Sequence, residues 1–244
     1  MTAKFKNNNL IVLNPLSGDK VDLEQAFFTY SMGNGFSITA GRFLSAIGWE
    51  AAEPVDMYQY SYGTSVKYPG YHNGIALGYD TEMFGLYGSI IDDIWAEDTV
   101  GDAEELGYEL QLSLTPIEGF TTKIQYASQD KGAYDKDLFN VWASYEIGSL
   151  LLAAEYDSYD GWNAPGVDGD GWLVMGNYGF TDNLGLTLRY SVNDGDDYEA
   201  SDFTISPGYV FTDNIAGLIE YKHTDYDEGG FDEDSVAVEV LFTF

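Results

Sequence analysis

Apolar and polar residues alternate with a period of two along most of the chain, the pattern of strands that have one apolar face. The C-terminal segment shows it clearly, with Val236, Val238, Val240, Phe242 and Phe244 on one face and Ser235, Ala237, Glu239, Leu241 and Thr243 on the other. We predict strands at 21–31, 36–44, 71–80, 83–92, 104–115, 119–128, 137–147, 149–158, 171–180, 184–193, 202–211, 215–225 and 235–244, with a weaker one within 3–13.

The connections between these segments alternate between short and long. Short ones include Thr181-Asp182-Asn183, which recurs as Thr212-Asp213-Asn214, and the long ones are 45–70, 93–103, 129–136, 159–170, 194–201 and 226–234. Strands of about ten residues, with short turns at one end and long polar loops at the other, are typical of a transmembrane antiparallel up-and-down β-barrel. Because bacterial single-chain barrels have even strand numbers, we expect about 14 strands in one domain spanning 1–244.

Composition narrows the function classes. The chain has 41 acidic and 10 basic residues, so no basic surface for nucleic acid is expected. It has no cysteine and two histidines, which excludes thiolate chemistry and makes a catalytic or multi-histidine metal site a poor prediction. We expect neither an enzyme nor a cofactor. No signal peptide is visible, and no apolar run is long enough for a membrane-spanning helix.

Charged residues within the predicted strands fall mainly on the polar face, where they would line a lumen. Arg42 departs from this alternation, and a bulge or a position above the bilayer would resolve the difference. Two interpretations of the set are open: a constriction with opposed charges that sets ion selectivity, or a salt-bridge network that fills a closed lumen. The predicted pore-lining residues are Arg42, Glu109, Lys123, Glu146, Glu155, Arg189, Glu220, Lys222 and Glu239.

The loop at 45–70 is the longest and is rich in tyrosine and tryptophan. Long aromatic loops need a surface to cover, so we predict that it folds into the barrel mouth and narrows the pore. The alternative is packing over the rim against a neighbouring protomer. The other long loops carry most of the aspartates, which we interpret as a solvated acidic surface suited to divalent bridging of lipopolysaccharide. Val167 to Gly171 is only a weak Ca²⁺-loop signal, because the bidentate glutamate is missing.

The chain ends on Val240-Leu241-Phe242-Thr243-Phe244. Phe242 and Phe244 resemble the terminal signal that the outer-membrane assembly machinery reads. The alternative is an ordinary last strand of a soluble sheet.

Three segments carry a resemblance to a known family. Leu23 to Tyr30, followed by Ala40 to Glu50, and then Pro69-Gly70-Tyr71-His72-Asn73-Gly74-Ile75, resemble the OmpL-like β-barrel porins of Gram-negative outer membranes. The match is good over about residues 20–80, and Ser61-Tyr62-Gly63 stands where the family has an arginine-containing motif. The resemblance implies a bacterial outer-membrane location, and about 16 strands if this chain is a shortened form of a longer parent.

These observations favour an outer-membrane porin for passive diffusion of ions and small hydrophilic solutes, with a cation bias because acids outnumber bases. Its expected partners are outer-membrane lipids and lipopolysaccharide, the assembly machinery and, in a homo-oligomer, copies of itself. Two alternatives stay open. One is a closed structural or adhesion barrel with acidic loops, and the other is a soluble, acidic, lipocalin-like carrier with its aromatic faces turned inward.

Overall fold

A computed structural model of the chain describes residues 11–13, 21–23, 25–50, 56–65, 67–95, 106–227 and 229–243. In these residues the architecture is all β. The strands are β1 (Ile11–Leu13), β2 (Val21–Leu23), β3 (Ala26–Gly33), β4 (Phe36–Leu44), β5 (Tyr71–Asp80), β6 (Phe84–Ile91), β7 (Gly107–Leu114), β8 (Phe120–Asp130), β9 (Asp135–Ile147), β10 (Leu150–Asp160), β11 (Gly169–Gly179), β12 (Leu184–Gly195), β13 (Glu199–Thr212), β14 (Ile215–Tyr226) and β15 (Phe231–Phe242).

Strands β3 to β15 form one antiparallel sheet of 13 strands, in which each strand pairs with its neighbours in the sequence. The up-and-down order and the thirteen main strands predicted from alternation are confirmed. β1 and β2 pair separately, so the predicted first long strand, 21–31, divides into β2 and β3. Of the weak strand within 3–13, the part at 11–13 is β1, and residues 3–10 lie outside the described residues.

Several strands extend further at the long-loop end than alternation predicts. β13 begins at Glu199 and β15 at Phe231, so segments expected as long loops shorten to 196–198 and 227–230. Aspartate has a low intrinsic strand preference, but the ladder hydrogen bonds to the adjacent strand outweigh it. Asp232 and Asp234 are therefore paired strand residues rather than loop residues.

Short turns close the other end of the sheet. Asn34 and Gly35 both have positive φ, as a type I′ hairpin turn requires. In the repeated turns, the Thr181 hydroxyl accepts a hydrogen bond from Leu184 N, and the Asn183 amide donates to Val210 O at 2.9 Å. Asn214 donates in the same way to Thr243 O at 2.7 Å. The sequence repeat is thus a turn whose asparagine ties each hairpin to the next strand.

The two faces of the sheet differ sharply in chemistry. On β10, Leu152, Ala154 and Tyr156 are exposed on the outer face, whereas Glu155 and Asp157 are buried on the inner face. The same division holds on β12, where Leu188 and Tyr190 face outward. The apolar face is therefore outermost and the polar face lines an interior, the reverse of what the soluble-carrier interpretation requires. That alternative is wrong.

Aromatic rings contact one another across strands near the short turns. Phe36 packs on Tyr79 with ring centroids 4.5 Å apart, and Tyr79 contacts Phe84 at 6.0 Å. These rings form part of a belt on the outer face, the arrangement that amphipathic rings adopt at a membrane interface. The described residues contain no helix long and apolar enough to cross a membrane.

Candidate functional site

The loop of residues 45–70 leaves β4 and turns into the interior, where its first limb is held by polar side chains of the wall. The Ser45 hydroxyl donates to Glu109 Oε1 at 2.5 Å, and Gly48 N donates to Gln125 Oε1 at 3.0 Å. Trp49 N donates to Glu155 Oε1 at 2.8 Å. These acceptors belong to β7, β8 and β10, so the limb crosses the inner face of at least this part of the wall.

At the centre of the interior, the loop meets a buried arginine. Arg189 on β12 donates to Glu50 Oε1 at 2.7 Å and to Ser61 O at 2.5 Å. Its other terminal nitrogen donates to Thr204 Oγ1 at 2.9 Å and lies 3.4 Å from Asp202 Oδ1. Burial raises the pKa of Glu50 above its ordinary value, and the charge of Arg189 opposes this rise.

A second limb, residues 56–64, runs along the inner faces of β12, β13 and β14. Thr187 donates to Tyr58 O at 2.8 Å, and Glu220 accepts from the backbone of Tyr60 at 2.8 Å. Thr64 N donates to Asp202 Oδ2 at 2.7 Å. Because these contacts lie far around the sheet from β7, the loop spans the interior. The prediction that it folds inward is confirmed for its described residues, and packing over the rim is not what they show.

The loop returns to β5 through a cluster of lysines and aromatic rings at the long-loop end. Lys67 pairs with Asp197 at 2.6 Å and lies over the rings of Tyr198 and Tyr159, 4.4 and 4.8 Å from their centroids. Burial lowers the pKa of Lys67, and the hydrogen bond and charge of Asp197 oppose this. Burial alone would raise the pKa of Asp197, but the hydrogen bonds from Lys67 and Tyr159 outweigh it and hold that pKa below its ordinary value.

A second lysine belongs to the same cluster. Lys136 lies 3.7 Å from the ring centroid of Trp162 and 4.7 Å from that of Trp95. Both indoles pack against a small apolar core inside the barrel that includes Ile47 from the first limb of the loop. Apolar and cation–π contacts thus hold the loop in this cluster, whereas buried polar contacts hold it at the centre.

His72 is the buried histidine on β5. Its Nε2 lies 3.9 Å from Glu109 Oε2, beyond hydrogen-bond distance, and the Phe43 ring packs edge-on against it. In the described part of the chain, no group of three acidic, histidine or cysteine side chains could hold a metal ion.

The family model described as "Putative beta-barrel porin-2, OmpL-like" matches residues 8–244. The chain belongs to this porin family. It is therefore an integral β-barrel of the bacterial outer membrane, as the sequence resemblance implied. No curated protein matches the chain by sequence.

Solved structures of outer-membrane proteins share the fold of this porin. OmpT of Vibrio cholerae is 16% identical, covers 91% of this chain and 81% of its own, and has a TM-score of 0.67. OmpF of Salmonella typhi is 15% identical, covers 91% and 79%, and has a TM-score of 0.71. The channel DcaP of Acinetobacter baumannii is 15% identical, covers 96% and 78%, and has a TM-score of 0.66. At these identities the likeness shows the fold alone.

The nine charges predicted to line the pore of this porin divide into groups by what they contact. Five of them bond the 45–70 loop or lie among its anchors: Glu109, Glu155, Arg189, Glu220 and Lys222. Three others, Lys123, Glu146 and Glu239, lie at inward-facing positions nearer the short-turn end, and no loop hydrogen bond to them is found among the described residues. Lys123 lies over the Trp142 ring, 5.2 Å from its centroid.

Arg42 differs from all of these. Its pairing with Ala26 and Asn73 is continuous with that of its neighbours, so the anticipated bulge does not shift it. Along the alternation of β4, Arg42 falls on the same face as Phe36 and Ile38. It borders an apolar concavity on the outer face. The side chain is nevertheless buried, with 9% of its surface exposed. The pore-lining role of Arg42 stays a prediction.

Several residues that hold the loop were not singled out from the sequence. Gln125, Thr187, Ser191 and Asp202 all occupy inward positions of the alternation, which was the available signal. Gln125, Thr187 and Ser191 are uncharged and look like ordinary lumen surface until the loop that bonds them is placed, and Asp202 is the first residue of its predicted strand. Phe242 is 63% exposed on the outer face of β15, and Phe244 lies outside the described residues.

Proposed function

We propose that this porin is a water-filled channel for passive diffusion of ions and small hydrophilic solutes, narrowed by the 45–70 loop and biased toward cations. The observation that carries the proposal is the inward loop, which bonds inner-face residues from β7 to β14. A loop held at this depth reduces the open cross-section and brings side chains close to any permeating solute. The channel has no turnover and uses no cofactor.

The proposed cation bias comes from lumen charges that the loop does not neutralise. Glu50, Asp202, Arg189 and Lys222 compensate one another at the centre. Toward the short turns, the inward set of Lys123, Glu146 and Glu239 has two acids for one base. A low-dielectric channel wall strengthens the attraction of such a set for cations.

The test is conductance of the purified barrel in planar bilayers. Shortening residues 56–65 to a Gly-Ser link should raise the single-channel conductance, because the second limb leaves the interior. The control replaces 227–230, the connection between β14 and β15, by the same Gly-Ser link. This change should leave the conductance unchanged. No channels from the wild-type protein would favour the rival, a closed structural or adhesion barrel. Equal conductance of the wild-type and shortened channels would show that the loop does not constrict.

We further propose that residues 1–244 form one barrel domain that assembles as a homo-oligomer. Another structure of Vibrio OmpT is of a trimer form, which makes this arrangement compatible with the fold. The assembly machinery is proposed to read Phe242 and Phe244. Outer-membrane lipids surround the apolar face, and the acidic strand extensions meet lipopolysaccharide through divalent cations. Cross-linking in native outer membranes, with and without a chelator, tests the oligomer and the cation bridges.

A further inference from the structure

Burial alternates along the second limb of the 45–70 loop, although the segment belongs to no strand of the sheet. Gln59 and Gly63 are buried and Ser61 is half-buried, whereas Tyr58 and Tyr60 are exposed, as is Tyr62. The backbone bends at residues 58–61, and the alternation places the buried positions on one side of the segment and the tyrosines on the other, toward the open interior.

The buried side is fixed by specific contacts, two to Glu50 of the first limb and one to the wall. Gln59 donates to Glu50 Oε1 at 2.6 Å, and Gly63 N donates to Glu50 Oε2 at 2.8 Å. A Cβ on Gly63 would lie 2.7 Å from Ser191 Oγ, so the backbone approaches the wall as closely as glycine allows. The orientation of the segment is therefore set, and so is the direction in which its tyrosines point.

The open side is a row of aromatic rings. Tyr58, Tyr60 and Tyr62 are 39%, 55% and 49% exposed, and Trp49 stacks on Tyr58 with its plane only 5° from parallel. Outward-facing rings on the barrel surface meet lipid, but these rings project from a limb bonded to the inner wall. Exposed aromatic area at such a place is typical of a surface that meets a ligand.

Two of the charges beside this row, Glu220 and Lys222, are already engaged. Glu220 accepts from the backbone of Tyr60 and Ser61, and Lys222 donates to Tyr62 O at 2.9 Å. Both side chains hydrogen-bond the backbone of the limb. The row therefore presents aromatic faces and phenol hydroxyls rather than an ionic pair. A matching solute is uncharged, with flat apolar faces that stack on rings and hydroxyl groups around its rim.

We infer that Tyr58, Tyr60 and Tyr62 form a binding track for neutral saccharides in the channel. The inference rests on the proposed channel function and deepens it by naming the solute class. The C–H faces of a pyranose ring stack on tyrosine, and its hydroxyls exchange hydrogen bonds with the phenols. Three tyrosines on one side of the segment offer more than one ring face, so an oligosaccharide should bind more tightly than a monosaccharide.

The experiment measures current block by sugars added to single channels in planar bilayers. Maltotriose should block the wild-type channel saturably, glucose more weakly, and glucuronate no better than glucose. Changing all three tyrosines to leucine should weaken the maltotriose block about ten-fold or more, because leucine has no ring face on which a sugar can stack. The matched phenylalanine triple variant keeps the rings and should retain most of the block. Tyr178→Leu, on the outer face, should have no effect.

The outcomes separate this inference from the proposed channel. Open channels with no saturable sugar block, a block that is unchanged in the leucine variant, or stronger block by glucuronate would each overturn the saccharide track and leave the channel intact. If no channel conducts, the channel proposal fails, and calorimetric titration of the detergent-purified barrel with maltotriose still tests binding. Heat released by wild type and not by the leucine variant supports the track, and no heat from either overturns it. A leucine variant that does not fold is replaced by the single variants Tyr60→Leu and Tyr62→Leu.

Discussion

The carboxylate of Glu50 and the guanidinium of Arg189 meet 2.7 Å apart, although 139 residues separate them in the sequence. The exposed fractions of their side chains are 1% and 0%. Isolated buried charges are very costly, so each residue depends on the other being in place. This pair therefore couples the position of the 45–70 loop to the integrity of the barrel wall at β12.

Replacing Arg189 by methionine should destabilise the barrel by about 3–5 kcal/mol, because Glu50 and Asp202 lose the positive charge between them. The measurement is the free energy of unfolding in urea, with the barrel folded into lipid vesicles. The double variant Glu50→Gln with Arg189→Met should be less destabilised than Arg189→Met alone. Equal losses in the two variants would mean that unpaired charge is not the cause.

Gly48 is required by its backbone conformation and by the space around it. Its φ is +101°, and a Cβ would lie 2.5 Å from the Tyr68 ring. Gly48→Ala should cost about 1–3 kcal/mol and displace Tyr68 from its hydrogen bond to Glu155. Gly70→Ala is the matched control, because open space surrounds its Cβ position and its φ is not positive. Urea unfolding should separate the two variants, and similar losses would contradict the argument.

Acid should release the return limb of the loop through Asp197. Because the folded-state pKa of Asp197 is lowered, its contribution to stability is fully present above the ordinary carboxyl pKa of about 4 and is lost as the pH falls through the folded value. Proteolytic cleavage of the loop should therefore stay constant from neutral pH down to about 5 and increase only in stronger acid.

Asp197→Asn isolates this contribution. The pKa of Glu50 is raised on folding, so its protonation in acid favours the folded state. That effect is the opposite of the one at Asp197. The asparagine variant should be cleaved at neutral pH and should lack the acid-dependent increase below about 4. An unchanged acid response in that variant would assign the effect to another group.

Deleting residues 242–244 should lower the yield of folded barrel in cells more than shortening any outer loop. Phe242 pairs with Ile215 at the short-turn end of β15 and points outward, where a receptor can read it. Phe242→Tyr keeps an aromatic ring and is the control. The measurement is the fraction of heat-modifiable protein in isolated outer membranes, and a normal yield from the deletion variant would refute the signal.

Much of this fold was predictable because its information is local. Alternation at Val236, Val238 and Val240 gives the outward face of β15 directly, and recurring turn residues give the hairpins. Strand ends were predicted less well. β13 begins at Glu199 and β15 at Phe231, in acidic stretches whose composition favours a loop over a hydrogen-bonded strand.

The site was only partly predictable for a different reason. Glu220 could be placed on the inner face from its own strand, but not against the backbone of Tyr60, 160 residues earlier. Such contacts depend on where the sheet brings β14 relative to the loop. Arg42 shows a related case, because along β4 it falls on the same face as Phe36 and Ile38, yet only 9% of its surface is exposed.

Ion selectivity should follow the inward charges that the loop leaves alone. Changing Glu146 and Glu239 to glutamine should reduce cation preference, and Lys123→Gln should increase it, as measured by the reversal potential in a salt gradient. These residues lie where no described loop contact compensates them, so their charge acts on permeating ions. Glu118→Gln, in a short turn outside the strands, is a matched control with the same charge change.

The anchoring charges should behave differently. Glu220→Gln removes an acceptor for the backbone of Tyr60 and Ser61, so it should loosen the second limb and increase current noise with a smaller change in reversal potential. Charge that is satisfied by a fixed backbone dipole exerts less of its field on a passing ion than charge that faces water. If Glu220→Gln shifts the reversal potential as far as Glu146→Gln, then the anchors belong to the selectivity filter and this division of the lumen charges is wrong.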